Sequence, residues 1–138
     1  MEYSLIGAAN TDALWELQKL YKREIGEDTP SDDAKSRLKA AIEAKSILFF
    51  GVWDGEVLAG CCSITVGFST FDYAKSGVFE DFYIRPKYRH MGIARALVRF
   101  ACAASGVSTL TVGCASCDVD MYKALGFSIE IGSLLAFE

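Results

Sequence analysis

Histidine and proline are nearly missing from this chain of 138 residues: His90 is the sole histidine, and Pro30 and Pro86 are the only prolines. With one histidine, the Cys114-x-x-Cys117 pair has no second Cys or His pair at metal spacing, so no metal site is expected. A Ser-His-Asp or Cys-His hydrolase would need His90 as its base, and a place inside a basic turn argues against that role. Long apolar runs are lacking too. The strongest, Ile47 to Trp53, stops at Asp54 and is far too short to span a bilayer. The opening Met-Glu-Tyr-Ser-Leu has no basic segment followed by a long apolar one, so no secretory signal is expected and the default location is cytoplasmic. A basic excess is also absent: 14 Lys and Arg stand against 18 Asp and Glu, a net charge of -4, which speaks against nucleic acid as the main partner. The five cysteines are odd in number, and Cys61 and Cys62 are adjacent, a pattern of reduced thiols rather than of a disulfide framework. Cys61 and Cys62 are read as strand core, and Cys114 and Cys117 as structural thiols.

What is present describes a compact fold. Hydrophobic residues make up 51% and charged residues 23%, which argues against disorder, and residues 1–138 suffice for one domain with a real core. Tyr3 to Ala8 reads as a strand. Asn10-Thr11-Asp12 offers caps for a helix through Leu14, Leu17, Leu20, Tyr21 and Ile25, ending near Gly26. After the acidic turn Glu27 to Asp33, Ser31 or Asp32 caps a second helix running to about Ala44. Ile47 to Trp53 is a strand, Asp54-Gly55 a two-residue turn, and Glu56 to Phe68 the partner strand with Gly60 as a bulge candidate. Phe68 to Gly77 reads as an aromatic-rich loop or hairpin end. Beyond the central segment, the pattern predicts a strand over Thr109 to Gly113 and a helix from Asp118 to Leu125 capped by Gly126. Phe127 to Phe137 then supplies one or two final strands. The order β-α-α-β-β-β-α-β-α-β implies an α/β architecture, a mixed sheet whose first half is antiparallel.

The centre is Glu80 to Ala104. It opens as an apolar strand with two carboxylates, breaks at Pro86 and restarts as a helix at Gly92. Ile93, Leu97, Phe100, Ala101 and Ala104 recur at helical spacing, with Arg95 and Arg99 on the outer side. Arg85, Lys87, Arg89, His90, Arg95 and Arg99 form a local basic patch in an otherwise acidic chain. A strand, a basic turn and a helix N-terminus make an anion cradle, because first-turn N–H groups are unpaired. The Gly-Lys-Ser/Thr ending of a Walker loop is absent, and only one of the three dinucleotide-fingerprint glycines is present.

Arg89, Gly92 and Ala94 match the Arg/Gln-x-x-Gly-x-Gly/Ala motif of the GNAT superfamily of acyl-CoA-dependent N-acetyltransferases. The preceding Glu-Asp-Phe-Tyr-Ile-Arg-Pro-Lys-Tyr-Arg and the later Met-Tyr-Lys-Ala-Leu-Gly-Phe, Met121 to Phe127, also resemble that family. The resemblance covers about the last 80 residues. It implies a GNAT-like sheet with a splayed strand pair that holds acetyl-CoA as cosubstrate. The main chain of Phe82, Tyr83 and Ile84 is then expected against pantetheine. The turn of Arg89, His90, Met91, Gly92, Ile93, Ala94 and Arg95 is expected at the pyrophosphate, with Arg89 and Arg95 adding side-chain charge. Tyr122 matches the family's acid for the departing thiolate, and Glu80 its base.

By strand alternation Glu80 and Asp81 point to opposite faces, which leaves Asp81 a structural role. The family's frequent asparagine before the last helix is missing, its places being held by Ala115 and Asp118. The acceptor implied is an amine: a polyamine, an amino acid, an aminoglycoside-like compound, or a protein N-terminus or lysine. Glu24, Glu27, Asp28, Asp32 and Asp33, with Phe68, Phe71, Asp72 and Tyr73, read either as an acidic aromatic rim for a cation or as a solvated face. The β-rich tail Ile129 to Phe137 is a candidate for pairing with a second chain in a homodimer.

Overall fold

A computed structural model describes residues 1–138. Its elements are β1 (Glu2–Ile6), α1 (Thr11–Glu24), α2 (Asp32–Glu43), β2 (Leu48–Asp54), β3 (Val57–Ser69), β4 (Ala74–Ile84), α3 (Ile93–Ser105), β5 (Thr109–Val112) and α4 (Val119–Leu125). The five strands form one sheet in the order β1-β2-β3-β4-β5. Successive pairs are antiparallel until β5, which lies parallel to β4 after the α3 crossover. No helix is long and apolar enough to cross a membrane.

The strand pattern explains the layers. Alternate residues of β2 and β3 face opposite sides, so Phe49, Leu58 and Cys61 pack with Leu14 and Leu17 of α1 and Ile42 of α2. Phe50, Val52, Cys62 and Ile64 pack on the other side with Ile93, Leu97, Val98 and Ala101 of α3. Both faces of the sheet are therefore covered. Cys61 and Cys62 are fully buried, and burial pushes both thiols well above the ordinary range, so they stay protonated and inert. Ser31 caps α2 by accepting from the Ala34 N–H at 3.2 Å.

Four local expectations change. The first hairpin turns at Gly55 and Glu56, because Asp54 still pairs with Val57. The first bulge leaves Ala59, beside Gly60, without a partner. The segment Phe68 to Gly77 is mostly strand: pairing continues to Ser69↔Ala74, so only Thr70 to Tyr73 form the turn. Finally, Phe127 to Phe137 forms no strand. Gly126 at φ 116° and Gly132 at φ 134° turn the chain, Glu130 pairs with Lys123 of α4 at 2.8 Å, and Leu134 comes back beside Gly113, just past β5, without pairing as a strand. Ile129, Ile131, Leu134, Leu135 and Phe137 are left exposed.

Candidate active site

The parallel partner of β4 stops early. β5 ends at Val112 opposite Phe79, while β4 continues to Ile84, so one edge of β4 is open over Glu80 to Ile84. The direction of its main-chain groups follows from the other edge. Arg85 donates its N–H to the Ala59 carbonyl at 2.9 Å, and Tyr83 lies opposite Cys61. Main-chain groups alternate along a strand, so those of Phe82 and Ile84 turn toward the open edge. The side chains of Tyr83 and Ile84 are buried on opposite faces of the sheet.

The turn after β4 is fastened on all sides. Arg85 Nε donates to the Leu58 carbonyl at 2.8 Å, and the Tyr88 hydroxyl to Asp54 Oδ2 at 2.7 Å. Arg89 donates through Nε to the Ile84 carbonyl at 2.8 Å and through Nη2 to Glu24 Oε1 at 2.7 Å, with its guanidinium 5.4 Å from the Tyr83 ring centre. This differs from the expectation that the Arg89 side chain is free for an anion. A forked donor satisfies two acceptors at once, and here they are protein oxygens on β4 and α1. Lys87, His90, Arg95 and Arg99 remain exposed.

Beyond Arg89 the chain is arranged for close approach. His90 at φ 63° and Gly92 at φ 75° are both left-handed, and no side chain caps α3. None of the N–H groups from His90 to Arg95 bonds outside the helix. A Cβ added at Gly92 would meet nothing within 4 Å, so space is open beside the first turn, with Ala94 partly exposed and Ile93 anchored in the core. Unpaired N–H groups facing open space can bind an anion.

The carboxylates depart from strand alternation. Cys61 pairs with Tyr83 and Ser63 with Glu80, so Asp81 and Phe82 together oppose Cys62 alone. This is a β-bulge, and Asp81 takes φ 54° within it, a conformation that Asp tolerates better than most residues. Phe82 packs into the α3-side core, while Asp81 Oδ2 accepts the Ser63 hydroxyl at 2.6 Å. Glu80, the register partner of Ser63, lies on that same α1 side. The two carboxylates thus share one face, where alternation predicts two.

Two tyrosines flank that face. Tyr21 of α1 packs against Tyr83, ring centres 6.3 Å apart, and its hydroxyl is pushed up by burial and then by Asp81. Tyr122 of α4 is half-buried against Phe127 at 6.0 Å, and Phe127 packs in turn on Phe79 at 5.2 Å. Burial first, then the neighbouring Tyr21, raises Tyr122 to about 12. Its proton is therefore firmly held at neutral pH.

The structure places Glu80 and Asp81 at the open edge of β4 with Tyr21 near both, while Tyr122 packs on the α3-side core and meets this group only through Tyr21, which lies close enough to raise it. It adds Tyr21 and Ser63, which sequence reasoning passed over as an ordinary stripe residue and an ordinary strand residue. The proposed rim is gathered only in part, with Glu27 close enough to Tyr21 to raise it. Glu24 is bound to Arg89 and Glu27 to Lys22, and Phe68, Phe71 and Tyr73 lie at the far end of β4, about 20 Å from Glu80 at the rise of a strand. Asp72 there accepts the Ser108 hydroxyl at 2.8 Å. Cys114 and Cys117 are exposed and free.

Known proteins share this fold. No curated protein matches the chain in sequence. A structure described as a probable acetyltransferase has 17% identity and a TM-score of 0.83, covering 100% of this chain and 99% of its own. A predicted acetyltransferase with acetyl-CoA from Clostridium acetobutylicum has 12% identity and a TM-score of 0.79, covering 99% and 95%. An aminoglycoside acetyltransferase from an uncultured soil metagenomic sample, in complex with sisomicin, has 11% identity and a TM-score of 0.82, covering 99% and 94%. At these identities the likeness establishes the fold. The family model for acetyltransferases of the GNAT family matches residues 11–127, most of the chain. On that match the chain belongs to the GNAT acetyltransferase family.

Proposed function

We propose that the protein transfers an acetyl group from acetyl-CoA to a primary amine. The observation that carries this reading is the open edge of β4 running into an uncapped, left-handed entry to α3. An extended pantetheine chain fits such an edge as an added strand, held by the main chain of Phe82 and the N–H of Ile84 beside Tyr83, the Ile84 carbonyl being taken by Arg89. The pyrophosphate fits the N–H groups from His90 to Arg95, where the free space at Gly92 admits it. Arg89 serves by fixing the turn, through the Ile84 carbonyl and Glu24. Arg95, exposed on the first turn of α3, adds charge. No metal has a part in this scheme.

When bound, acetyl-CoA supplies a thioester carbonyl open to attack and a thiolate as leaving group. Glu80 takes the proton that an ammonium must lose before its nitrogen can attack, directly or through a water. Main-chain N–H groups on the open edge of β4 stabilise negative charge on the carbonyl oxygen. Tyr122 donates its hydroxyl proton to the departing sulfur and recovers one from solvent. A group titrating at about 12 is fully protonated at neutral pH, so the proton is in place. Its transfer to a thiolate that titrates near ~8.5 is uphill and is completed only as the tyrosine regains a proton from solvent. The test is mass spectrometry of a panel of amines incubated with acetyl-CoA. Acetylated product from wild type, lost with Tyr122→Phe, is expected; a Tyr122→Phe variant as active as wild type removes the acid from the mechanism.

A further inference from the structure

The five cysteines divide into two kinds. Cys61 and Cys62 are fully buried strand residues, and Cys102 is half-buried in α3. Cys114 and Cys117 are exposed and free, three residues apart, and pack no core. They stand where β5 gives way to α4, one before and one within the short turn Ser116–Asp118 that leads into that helix. Two accessible thiols so close in sequence are open to thiol–disulfide exchange, which the buried ones are not.

The backbone decides what such an exchange does. Ala115 is extended, at φ -68° and ψ 153°, so Cys114 lies outside the turn that carries Cys117. A bridge over two residues draws the chain into a compact turn, and Ala115 has to leave the extended conformation for it to close. The two sides of Ala115 are anchored unequally. On one side β5 is paired to β4 from Ser76↔Thr109 to Phe79↔Val112. On the other, Asp118 donates its N–H to the Ala115 carbonyl at 2.9 Å, which makes the turn one unit with α4, and α4 has no buried residue. Closure therefore rotates the weakly held unit against the fixed strand. Tyr122 rides on that unit, and its hydroxyl, raised first by burial and then by Tyr21 and Asp118, also senses Cys114.

We propose that Cys114 and Cys117 are a dithiol site which a small-molecule disulfide converts to an intramolecular bridge, and that this bridge swings α4 and displaces Tyr122. The thiolate of one cysteine attacks a sulfur of the small disulfide, forming a mixed disulfide and releasing one small thiol. The thiolate of the other then attacks the protein sulfur of the mixed disulfide and releases the second small thiol. The two cysteines are oxidised, the small disulfide is reduced, and the two cysteine protons end on the two released thiols. Excess small thiol reverses both steps. The site itself is independent of acetyl transfer; only a loss of turnover on closure rests on the acid role of Tyr122.

Oxidised glutathione is the probe, with dithiothreitol for reversal. Treated wild type is expected to lose two hydrogens in mass without retaining glutathione, and peptide mapping to find the bridge between Cys114 and Cys117. Hydrogen exchange is expected to change over residues 113–125 and to stay as it was in α3. Acetyl transfer is expected to fall by about tenfold or more and to return with dithiothreitol, since a displaced general acid forfeits part of its ~10²–10⁴-fold contribution. A Cys114→Ser, Cys117→Ser double variant is expected to keep its mass, exchange and turnover under the same treatment.

Glutathione retained on both cysteines without a bridge, or a bridge to Cys102, overturns the dithiol site. A Cys114–Cys117 bridge that leaves exchange in α4 unchanged overturns the coupling to Tyr122. A bridge that alters α4 in a protein acetylating no amine supports the coupling and removes the transfer reading instead. Should the double variant fail to fold, the single variants decide. Each is expected to stop at a glutathione adduct on its remaining thiol, and a single variant that still loses two hydrogens overturns the proposal.

Discussion

Residues 1–105 and residues 106–138 are two kinds of structure. All 28 buried residues lie in the first stretch, the last of them Ser105. The second holds a four-residue strand at the sheet edge, a seven-residue helix with no buried residue, and a tail with five exposed large apolar side chains. The proposed chemistry straddles the boundary. The open edge of β4, the bulge carboxylates and the α3 entry belong to the packed part, where a fixed geometry can hold a long cosubstrate. Tyr122 belongs to the sparse part and is held by the aromatic chain from Tyr122 to Phe127 to Phe79 and, with Leu125, by partial packing on the α3-side core. The difference teaches where rigidity is needed and where a residue is free to move. Tyr122, the proposed acid, sits on a short helix with no buried residue.

The comparison breaks most visibly at that acid. Tyr122→Phe keeps the ring, its contact with Phe127 and its burial while removing one hydroxyl, so kcat is expected to fall about 10²–10⁴-fold with the unfolding midpoint unchanged. The pH dependence sharpens the point. Because Tyr122 keeps its proton to about 12, it adds no descending limb to the rate profile between pH ~7 and ~10. A stability contribution from the same group carries the matching sign. It is complete below the unfolded value near ~10 and is lost as pH rises through about 12, where the buried hydroxyl must ionise. A steep loss of kcat near pH ~8 that disappears in Tyr122→Phe would contradict a protonated donor.

Phe79→Ala comes next in size. Phe79 is fully buried and touches Phe82 on the packed side and Phe127 on the sparse side, so its loss opens a cavity at the junction. A cost of about 3–5 kcal/mol in denaturant unfolding is expected. Hydrogen exchange in α4 should rise by more than in α3, since α4 loses its main anchor; an equal rise in both would mean that the two regions open as one.

The division also explains what the sequence made legible. The packed half follows periodicity: the stripe of α1, the Ser31 cap, the long antiparallel strands and the Gly92 entry to α3 all appear as patterns of residue type. The bulge at Asp81 does not. It depends on a register offset between two strands, and the only local hint is that Asp is one of the few residues at ease with positive φ. The alternation rule therefore separated Glu80 from Asp81 where the fold joins them. The fate of Arg89 was hidden for a similar reason, since its partner Glu24 is distant in sequence. In the tail, Ile129 and Ile131 alternate as a strand would, yet Gly126 and Gly132 turn the chain and Glu130 binds Lys123. Local pattern is a weak guide where no packing enforces it.

A smaller effect tests the α3 entry. Gly92 sits at φ 75° with open space about it, so Gly92→Ala meets no neighbour and adds only backbone strain. About 1–2 kcal/mol of stability is expected to be lost, since a left-handed alanine brings Cβ toward the following carbonyl. The same methyl enters the space proposed for the pyrophosphate, so coenzyme A affinity should fall by more than the stability change suggests. Calorimetry with coenzyme A checks this. An affinity that survives while stability drops would move the phosphate seat away from Gly92.

The smallest effect is expected from the tail. Removing residues 129–138 deletes the Lys123–Glu130 pair, whose side chains are 43% and 71% exposed, and a stretch in which no residue is buried. An exposed pair of this kind contributes at most about 1 kcal/mol, so the truncated protein should melt within a few degrees of the full chain and keep its turnover. A larger drop carries the opposite meaning. Ile129, Ile131, Leu134, Leu135 and Phe137 would then be covered in solution, against β5 or against a second chain, and the dependence of the melting temperature on protein concentration separates those two cases.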